Sequence, residues 1–264
     1  MMAEQQEQLP MWPQTQRGLP NSFSRSALFT VGNLRTGTRL NLKRHQVAAL
    51  NGIDITYTGE ELFQDDEDVL LQILHLARLQ PLSTEVSFNA SSMIAELGWT
   101  RNAGSIKRLA DCIDRMKASS LSVTVEAASV RENFSGSLIR AFRWREEGSN
   151  TTMRQWTILL EKEIVTLFNP KSYTRLDWST RMKLPPLAKW LHSFYHSHAQ
   201  PYPFKVDSLH RLTGSKISKL YQFRYKLRQA LDDLVEAGFL ESARIDPHTD
   251  LVVVKRGRNY IAIE

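Results

Sequence analysis

The 264-residue sequence has little of several features that define common protein classes. Its single cysteine, Cys112, excludes an intramolecular disulfide framework and a cysteine-based zinc site. No uninterrupted apolar run approaches the roughly 18 residues that a membrane-spanning helix needs. The first residues are polar and acidic, unlike a signal peptide. We therefore expect a cytoplasmic protein that does not contact a membrane.

Motifs for catalysis and cofactor binding are also missing. No Gly-x-x-x-x-Gly-Lys-Ser/Thr loop, which would hold nucleotide phosphates, occurs in the sequence. His192 and His196 lie one helical turn apart, but no third ligand or catalytic glutamate stands at the spacing of zinc proteases, so we interpret them as a partly exposed pair without metal. A nicking enzyme would need a hydrophobic residue between two histidines and a tyrosine on a separate helix. Here Ser197 separates His196 from His198, and Tyr195 is their neighbour. We predict no enzymatic activity, no metal and no cofactor.

Charge is unevenly distributed along the chain. Lys and Arg exceed Asp and Glu by 34 to 28, and the resulting charge of +6 is compatible with a polyanionic partner. Residues 13–53 contain six bases and no acid and are rich in Gly, Ser, Asn and Pro. We predict a flexible basic N-terminal arm over residues 1–58, with short strands near 27–31 and 53–58. Six acids in residues 60–68 complement the dipole of a helix predicted to end at Leu79.

From residue 59 the same order of elements occurs twice. Each pass is predicted to contain a helix, a short strand, a short helix, a longer helix and a hairpin. The longer helices are predicted at 102–117 and 215–236, the first hairpin at 121–130 and 137–144 around a turn at 131–136, and the second hairpin at 239–245 and 251–255. The apolar positions of the longer helices correspond at an offset of 118 residues, as in Leu109 with Leu227, Ile113 with Leu231 and Met116 with Leu234. This order is that of a winged helix, so we predict an α+β fold with two tandem winged-helix domains, residues 59–170 and 171–264.

The second longer helix has an apolar side and a basic side. Between Arg211 and Arg228 there are six bases and no acid, and the interleaved Tyr and Gln side chains can hydrogen-bond to bases. A solvated basic surface is the alternative, but the turn at Gly214 and the following hairpin favour a helix that lies in the major groove of DNA. The residues of this domain predicted to contact DNA are Lys216, Ser218, Lys219, Gln222, Tyr225, Lys226, Arg228, Lys255 and Arg256.

The first longer helix repeats this pattern more weakly. Arg101, Asn102, Lys107 and Arg108 are its predicted DNA contacts, but nearby Asp111 and Asp114 reduce the positive potential. This helix is therefore expected to position the domain on phosphates more than to read bases, and the alternative is that the domain serves self-association.

A short apolar peptide stands out in the polar N-terminal segment. Gln8-Leu9-Pro10-Met11-Trp12 contains three large apolar side chains that are unfavourable to leave in water. It resembles the Gln-Leu-x-Leu-Phe peptide by which bacterial replication proteins bind the sliding clamp. We predict that Gln8, Leu9, Met11 and Trp12 bind the clamp, and the alternative is that the segment folds back onto its own domain.

Several of these pieces together resemble one family. They are the stretch Arg25-Ser26-Ala27-Leu28-Phe29, residues 55–62 (Ile-Thr-Tyr-Thr-Gly-Glu-Glu-Leu) and the Gln64, Asp65 and Asp66 that follow. With two tandem winged helices, they are similar to the TrfA family of replication initiators from IncP broad-host-range plasmids. The resemblance implies sequence-specific binding to direct repeats (iterons) at a plasmid origin, opening of an AT-rich segment with host DnaA, and recruitment of DnaB helicase and the clamp. It also implies inactive dimers that become monomers to bind iterons, and a role in copy-number control.

Two functions of other classes accept the same basic helix. A transcriptional repressor would bind a palindrome as a stable dimer and would not need a clamp peptide. An origin-nicking enzyme would leave a covalent tyrosyl–DNA adduct.

Overall fold

The computed structural model describes residues 8–32, 38–81, 85–127, 130–146 and 154–257. Buried apolar side chains form two cores, one from Leu9 to Trp178 and one from Leu184 to Val252. We refer to the parts of the chain around these cores as the first and second units. Among the described residues, no helix combines the length and the apolarity that crossing a bilayer requires.

The chain mixes helices with mainly antiparallel sheets, as expected for the α+β class. The first unit begins with β1 (Gln16–Pro20), α1 (Asn21–Ser24), β2 (Phe29–Thr30), β3 (Asn41–Gln46), β4 (Ile53–Glu60), β5 (Leu62–Phe63) and α2 (Gln64–Ala77). It continues with β6 (Val86–Asn89), α3 (Ala90–Glu96), α4 (Ala103–Ala118), β7 (Ser120–Ala127), β8 (Val130–Gly136), β9 (Ala141–Glu146), β10 (Arg154–Leu159), a 3₁₀ helix (Lys162–Phe168) and β11 (Tyr173–Asp177). The junction helix α5 (Trp178–Lys183) is followed by α6 (Pro186–His196), β12 (Phe204–Lys205), α7 (Val206–Leu212), α8 (Leu220–Glu236), β13 (Leu240–Ile245) and β14 (Leu251–Arg256).

The two units share a module of one strand, two helices and a hairpin. Its strand order is β6-β10-β9 in the first unit and β12-β14-β13 in the second, with all pairs antiparallel. The long helix of each module, α4 or α8, buries its apolar side. All six positions that the 118-residue offset relates are buried, as the sequence predicts: Leu109, Ile113, Met116, Leu227, Leu231 and Leu234.

The predicted hairpin of the first unit is wrong. Residues 130–136, predicted to be mainly a turn, form strand β8, which pairs with β7, and this hairpin is inserted before the module's own hairpin, β9–β10. Buried Phe134 between exposed Asn133 and Ser135 has the alternation of a half-buried strand. The inserted hairpin extends β3 and β4 into a four-stranded sheet of order β3-β4-β7-β8.

The predicted flexible arm is also wrong for its described part, residues 8–32 and 38–58. Strand β1 pairs antiparallel with β11, from Gln16 opposite Asp177 to Pro20 opposite Tyr173. Leu19 and Phe23 are buried in the first core, and buried Arg17 donates from Nε to Gln72 Oε1 at 2.7 Å. These residues therefore belong to the first unit instead of preceding it, and the two cores divide between residues 178 and 184, somewhat after the predicted boundary at 170. Residues 1–7 and Arg35 lie outside the described residues.

Candidate nucleic-acid interface

Helix α8 carries most of the predicted site. Phe223, Leu227 and Leu231 bury one side of it, and it packs against α6 and α7. Its opposite side leaves two large rings in water, Tyr221 at 65% and Tyr225 at 57% exposed. Large aromatic side chains grouped on a surface are typical of a binding site.

Polar side chains connect these rings along the exposed side of α8. Gln222 Nε2 donates to the Tyr221 hydroxyl at 3.3 Å, and Gln229 Nε2 donates to the Tyr225 hydroxyl at 3.1 Å. Lys226 Nζ donates to Gln229 Oε1 at 3.1 Å. The structure thus brings together the predicted residues Gln222, Tyr225 and Lys226, and Arg228 is exposed on the same helix. All of these hydrogen bonds lie in water, so a ligand can replace them at low cost.

The loop before α8 holds the remaining predicted residues of this helix. The helix begins at Leu220, so its predicted start at 215 is wrong, and Lys216, Ser218 and Lys219 precede it. The backbone at Gly214 has φ +61°, which favours glycine and ends the preceding turn. Ser218 and Lys219 are exposed, whereas Lys216 forms an ion pair with Glu61 of the first unit. Lys216 therefore contributes to the contact between the units.

The hairpin after α8 is fixed to the helix by an ion pair that the sequence analysis missed. Arg224 donates through Nε and Nη2 to the two carboxylate oxygens of Asp250, both at 2.9 Å. Asp250, in the hairpin turn, has φ +57°, a conformation that Asp tolerates better than most residues. The cation at 224 was part of the predicted basic run, but nothing in the sequence indicated that its partner lies in the hairpin.

The two predicted DNA-contacting residues at the end of this hairpin, Lys255 and Arg256, differ in exposure and in their contacts. Lys255 is exposed and forms an ion pair with Glu241 at 2.6 Å. Arg256 is half-buried and donates to the carbonyl oxygens of His198 and Ala199, just after α6. Arg256 therefore joins the hairpin to the end of α6, a structural role that does not leave its side chain available as predicted.

The first unit places its predicted residues around the start of α4. Asn102 Oδ1 accepts the backbone N–H of Ser105 at 2.8 Å and so caps the helix. Lys107 pairs with Asp111 at 2.8 Å on the exposed surface. Arg108 lies over the ring of Trp99 at 3.9 Å and donates to Asp65 at 3.3 Å. Acids of the protein thus partly neutralise the positive charge at the start of this helix.

A groove runs between α4 and the β6-β10-β9 sheet. It has a volume of about 1010 Å³ and is lined by Arg101 and Lys107 together with Phe142, Trp144 and Trp156. Trp144 is 60% exposed. Arg101, Asn102 and Lys107 therefore lie beside an aromatic wall that the sequence analysis did not identify, because it placed the hairpin strands differently.

The acids at the start of α2 hold arginine side chains. Asp65, Asp66 and Cys112 are the described residues that bring three potential metal-ligating atoms within 4.8 Å of one another. Buried Asp66 already accepts hydrogen bonds from Arg39 and Arg115, and Asp65 accepts from Arg39 and Arg108. Burial raises the pKa of the Cys112 thiol well above its ordinary value, which keeps it protonated. The group is therefore a structural ion-pair network.

The histidine pair of α6 is more buried than the sequence suggested. His192 and His196 are 0% and 5% exposed, and their ring centroids lie 5.5 Å apart. The ring of Phe239 lies 4.6 Å from His192. Burial lowers the pKa of His192 well below its ordinary value and that of His196 to about 4, so both rings are neutral.

The apolar N-terminal peptide is folded onto the first unit. Leu9 and Trp12 are buried, and Trp12 Nε1 donates to His75 Nδ1 at 3.1 Å. Burial lowers the pKa of His75 to about 3, which keeps that ring neutral and able to accept. Gln8 Nε2 donates to the Arg78 carbonyl at 2.9 Å, whereas Met11 is exposed. In this conformation two of the four predicted clamp-binding side chains are inside the core, so the segment is folded back as the alternative describes, and a clamp contact would require it to leave the first unit.

Comparisons with known proteins agree with the resemblance seen in the sequence. A family model described as "TrfA protein" matches residues 2–256. The plasmid replication initiator protein TrfA of Escherichia coli is 32% identical over 247 residues, which cover 93% of this chain and 63% of that protein. The chain thus spans somewhat less than two thirds of the length of this relative.

Two crystal structures of domains 2 and 3 of RctB share the fold. One is 13% identical with a TM-score of 0.58, and the match covers 90% of this chain and 98% of that chain. The other is 11% identical with a TM-score of 0.56, and the match covers 87% and 95%. From the family match and the 32% identity, we conclude that the chain belongs to the TrfA family.

Proposed function

We propose that this protein initiates plasmid replication by binding direct repeats at the plasmid origin. Family membership supports the process, and the exposed side of α8 supports the interaction. The observation that carries the proposal is the row of Tyr221, Gln222, Tyr225 and Lys226 on one helix, next to a hairpin fixed by Arg224 and Asp250. We propose that both units are winged helices and that α8 lies in a major groove.

The chemistry of this row suits base reading. A glutamine amide can donate to and accept from the edge of adenine, and a tyrosine hydroxyl can do either singly. In the free protein these groups bond to each other, so they exchange neutral hydrogen bonds for similar ones when DNA binds. Lys219, Lys226 and Arg228 are exposed beside them and would bind phosphates, with Ser218 and Lys255 at the margins.

The first unit would position the protein on the DNA backbone. Arg101, Asn102, Lys107 and Arg108 lie at the start of α4, where two of the cations already pair with acids. Such ion pairs interfere less with phosphate contacts than with base contacts. Phosphate contacts depend mainly on charge, whereas base contacts need a specific arrangement of hydrogen-bond donors and acceptors. Two helices in successive major grooves, about 10.5 bp apart, would cover a repeat of roughly 15 to 20 bp.

Origin opening would be driven by binding energy without covalent chemistry. DnaA, DnaB helicase and the sliding clamp are proposed host partners, and a monomer is the proposed DNA-binding form. A clamp contact through Leu9 and Trp12 is not part of the proposal, because both side chains are buried in the first core.

The test compares Gln222→Ala and Tyr225→Ala with the unaltered protein. Binding to an iteron duplex and to a scrambled duplex is measured at the same salt concentration. Loss of one base contact worth about 1–3 kcal/mol should lower the ratio of the two affinities about 5- to 150-fold. Binding to the scrambled duplex should hardly change, because neither side chain is charged.

Gln46→Ala is the matched control, since Gln46 is exposed on β3. An unchanged affinity ratio in both α8 variants would contradict base reading by this helix. Tight binding as a stable dimer to a palindrome, and not to direct repeats, would indicate a repressor instead.

A further inference from the structure

A buried ion-pair network joins the two units at the junction helix α5. Arg181 of α5 is 0% exposed, and it lies between α2 of the first unit and α6 of the second. Its Nε donates to Asp68 Oδ1 at 2.7 Å and its Nη2 donates to Glu67 Oε2 at 2.9 Å. Its Nη1 donates to Ser193 Oγ of α6 at 2.7 Å. One guanidinium thus contacts both units at once.

The network satisfies every donor of the Arg181 guanidinium and balances its charge. Arg181 Nη2 also donates to Gln64 Oε1 at 3.2 Å, and Nη1 to the Lys189 carbonyl at 3.4 Å, so all five N–H groups of the guanidinium have an acceptor. Lys189 of α6 forms an ion pair with the second oxygen of Asp68. Two cations therefore face two anions in the interior. Such a network is favourable in one geometry and costly in others, because a displaced partner leaves a buried charge unpaired.

Each unit's long helix is attached to this network. In the first unit, Arg115 of α4 donates to Asp66 of α2 at 2.8 Å, only one residue before Glu67. In the second unit, α8 packs against α6. A continuous set of contacts therefore leads from α4 through α2, Arg181 and α6 to α8.

Further hydrogen bonds join the two units away from Arg181. The Val31 backbone N–H donates to the Thr213 carbonyl at 3.0 Å, and Trp190 Nε1 donates to the Ser26 carbonyl at 3.1 Å. These bonds join the N-terminal segment of the first unit to the second unit. The contact between the units is thus bonded at several separate points.

From these contacts we infer that Arg181 is a positioning residue. Together with the hydrogen bonds from Val31 and Trp190, it fixes the orientation of α4 relative to α8 and so sets a single spacing between the two DNA segments that they contact. The inference rests on the proposed function for its effect on DNA, but the fixed orientation is a property of the free protein. An unpaired nucleotide bulged out between the segments bends the duplex and so displaces the phosphates of one segment relative to those of the other. A rigid protein cannot follow that change.

The first test measures the orientation directly, without DNA. Spin labels are placed at Ala118→Cys and Glu236→Cys, at the exposed ends of α4 and α8, while native Cys112 is buried. The double variant Glu67→Gln with Arg181→Met removes one cation and one anion and keeps the Asp68–Lys189 pair, so it preserves charge balance where Arg181→Met alone would leave an unpaired acid. We expect the distribution of label distances to widen at least about twofold in the double variant.

The second test uses duplexes with zero, one or two unpaired nucleotides bulged out within the iteron, which displace the phosphates as well as the bases. The unaltered protein should lose about tenfold or more in affinity with one bulged nucleotide, and the double variant less than about threefold. Lys183→Met is the matched control, because it removes a cation at the exposed end of the same helix. It should behave like the unaltered protein in both tests.

The outcomes separate the two proposals. Equal distance distributions in the double variant and the unaltered protein would overturn the positioning role, whatever the DNA result. If the unaltered protein prefers the iteron, equal sensitivity of both proteins to the bulged nucleotides would overturn it as well. Failure of the unaltered protein to prefer the iteron over a scrambled duplex would instead refute the proposed function, and the label distances would still decide the role of Arg181.

Discussion

The burial of Trp12 gives the sharpest test of how the N-terminal segment is held. Its ring is 4% exposed, stacks on Phe168 at a centroid distance of 6.1 Å and lies 6.2 Å from the ring of Tyr173. Replacing a buried aromatic side chain by alanine costs about 3–5 kcal/mol. Trp12→Ala also leaves His75 Nδ1 without the donor it has at 3.1 Å, a loss of about 1–3 kcal/mol when the acceptor stays buried. Because the segment can relax outward, we expect a total loss of about 4 kcal/mol.

The assay is urea unfolding of the first unit, followed by circular dichroism and by hydrogen exchange of the α2 amides. The two cores can unfold separately, so the transition must be assigned to a unit before a free energy is taken from it. Met11→Ala is the matched control, because Met11 is adjacent and 60% exposed. It should change the free energy of unfolding by less than about 0.5 kcal/mol.

A loss below about 1 kcal/mol for Trp12→Ala would refute this reasoning. It would mean that the segment spends most of its time away from the core. Leu9 and Trp12 would then be available to a partner, as the clamp-peptide interpretation requires.

Three further predictions concern charge, pH and backbone conformation. With about eight phosphate contacts, the logarithm of the DNA-binding constant should fall with the logarithm of salt concentration at a slope near −7, and Arg228→Gln should reduce that slope by about 1 in a salt titration. Burial lowers the pKa of His196 to about 4. The folded state therefore keeps this ring neutral at pH values below about 6.5, where the unfolded state binds a proton. Stability should therefore fall as pH drops from about 6.5 to 4, by up to about 1.4 kcal/mol per pH unit for this ring. In urea titrations at several pH values, His196→Leu should weaken the dependence and exposed His248→Gln should not. Gly214→Ala should cost about 2–4 kcal/mol in thermal unfolding, because its φ is +61° and the new Cβ would lie 2.5 Å from the Thr30 side chain. Gly98→Ala, at φ +67° with nothing within 4 Å, should cost only about 1–2 kcal/mol; equal costs would show that the close approach at Gly214 is unimportant.

Helix faces could be predicted from the sequence because their signal is local. The apolar positions of α8 recur every three or four residues, and Phe223, Leu227 and Leu231 are buried where this period places them. The exposed rings of Tyr221 and Tyr225 follow from the same period. The apolar match between α4 and α8 also needs no knowledge of distant contacts.

Strand pairing in the first unit could not be predicted in this way. Residues 120–146 alternate between apolar and polar over the three strands β7, β8 and β9, so several registers satisfy the pattern equally well. The choice is made by β4, which pairs with β7, and by β6, which pairs with β10. Both β4 and β6 lie far from their partners in the sequence, so no turn motif in residues 120–146 indicates these pairings.

The burial of basic residues was missed for a similar reason. Arg17, Arg39 and Arg181 look like surface cations in the sequence, and their acceptors in α2 lie between 26 and 117 residues away. Composition alone therefore favoured a flexible basic arm. Four of the six acids of residues 60–68 lie in the first turns of α2, as the sequence predicts, whereas Glu60 and Glu61 precede it. The arginine side chains that these acids bind became visible only in three dimensions.

The pairing of β1 with β11 has a consequence for how the chain is made. The buried hydrogen bond from the Thr174 hydroxyl to Asn21, next to this pair, spans 153 residues. At a translation rate of about 5–20 residues per second, the N-terminal strand waits roughly 8 to 30 s for its partner to be synthesised. During that time the hydrogen-bonding edge that β1 presents to β11 has no native partner, although α2, which packs against β1, has already been made. The first unit therefore completes its fold only after β11 has been synthesised.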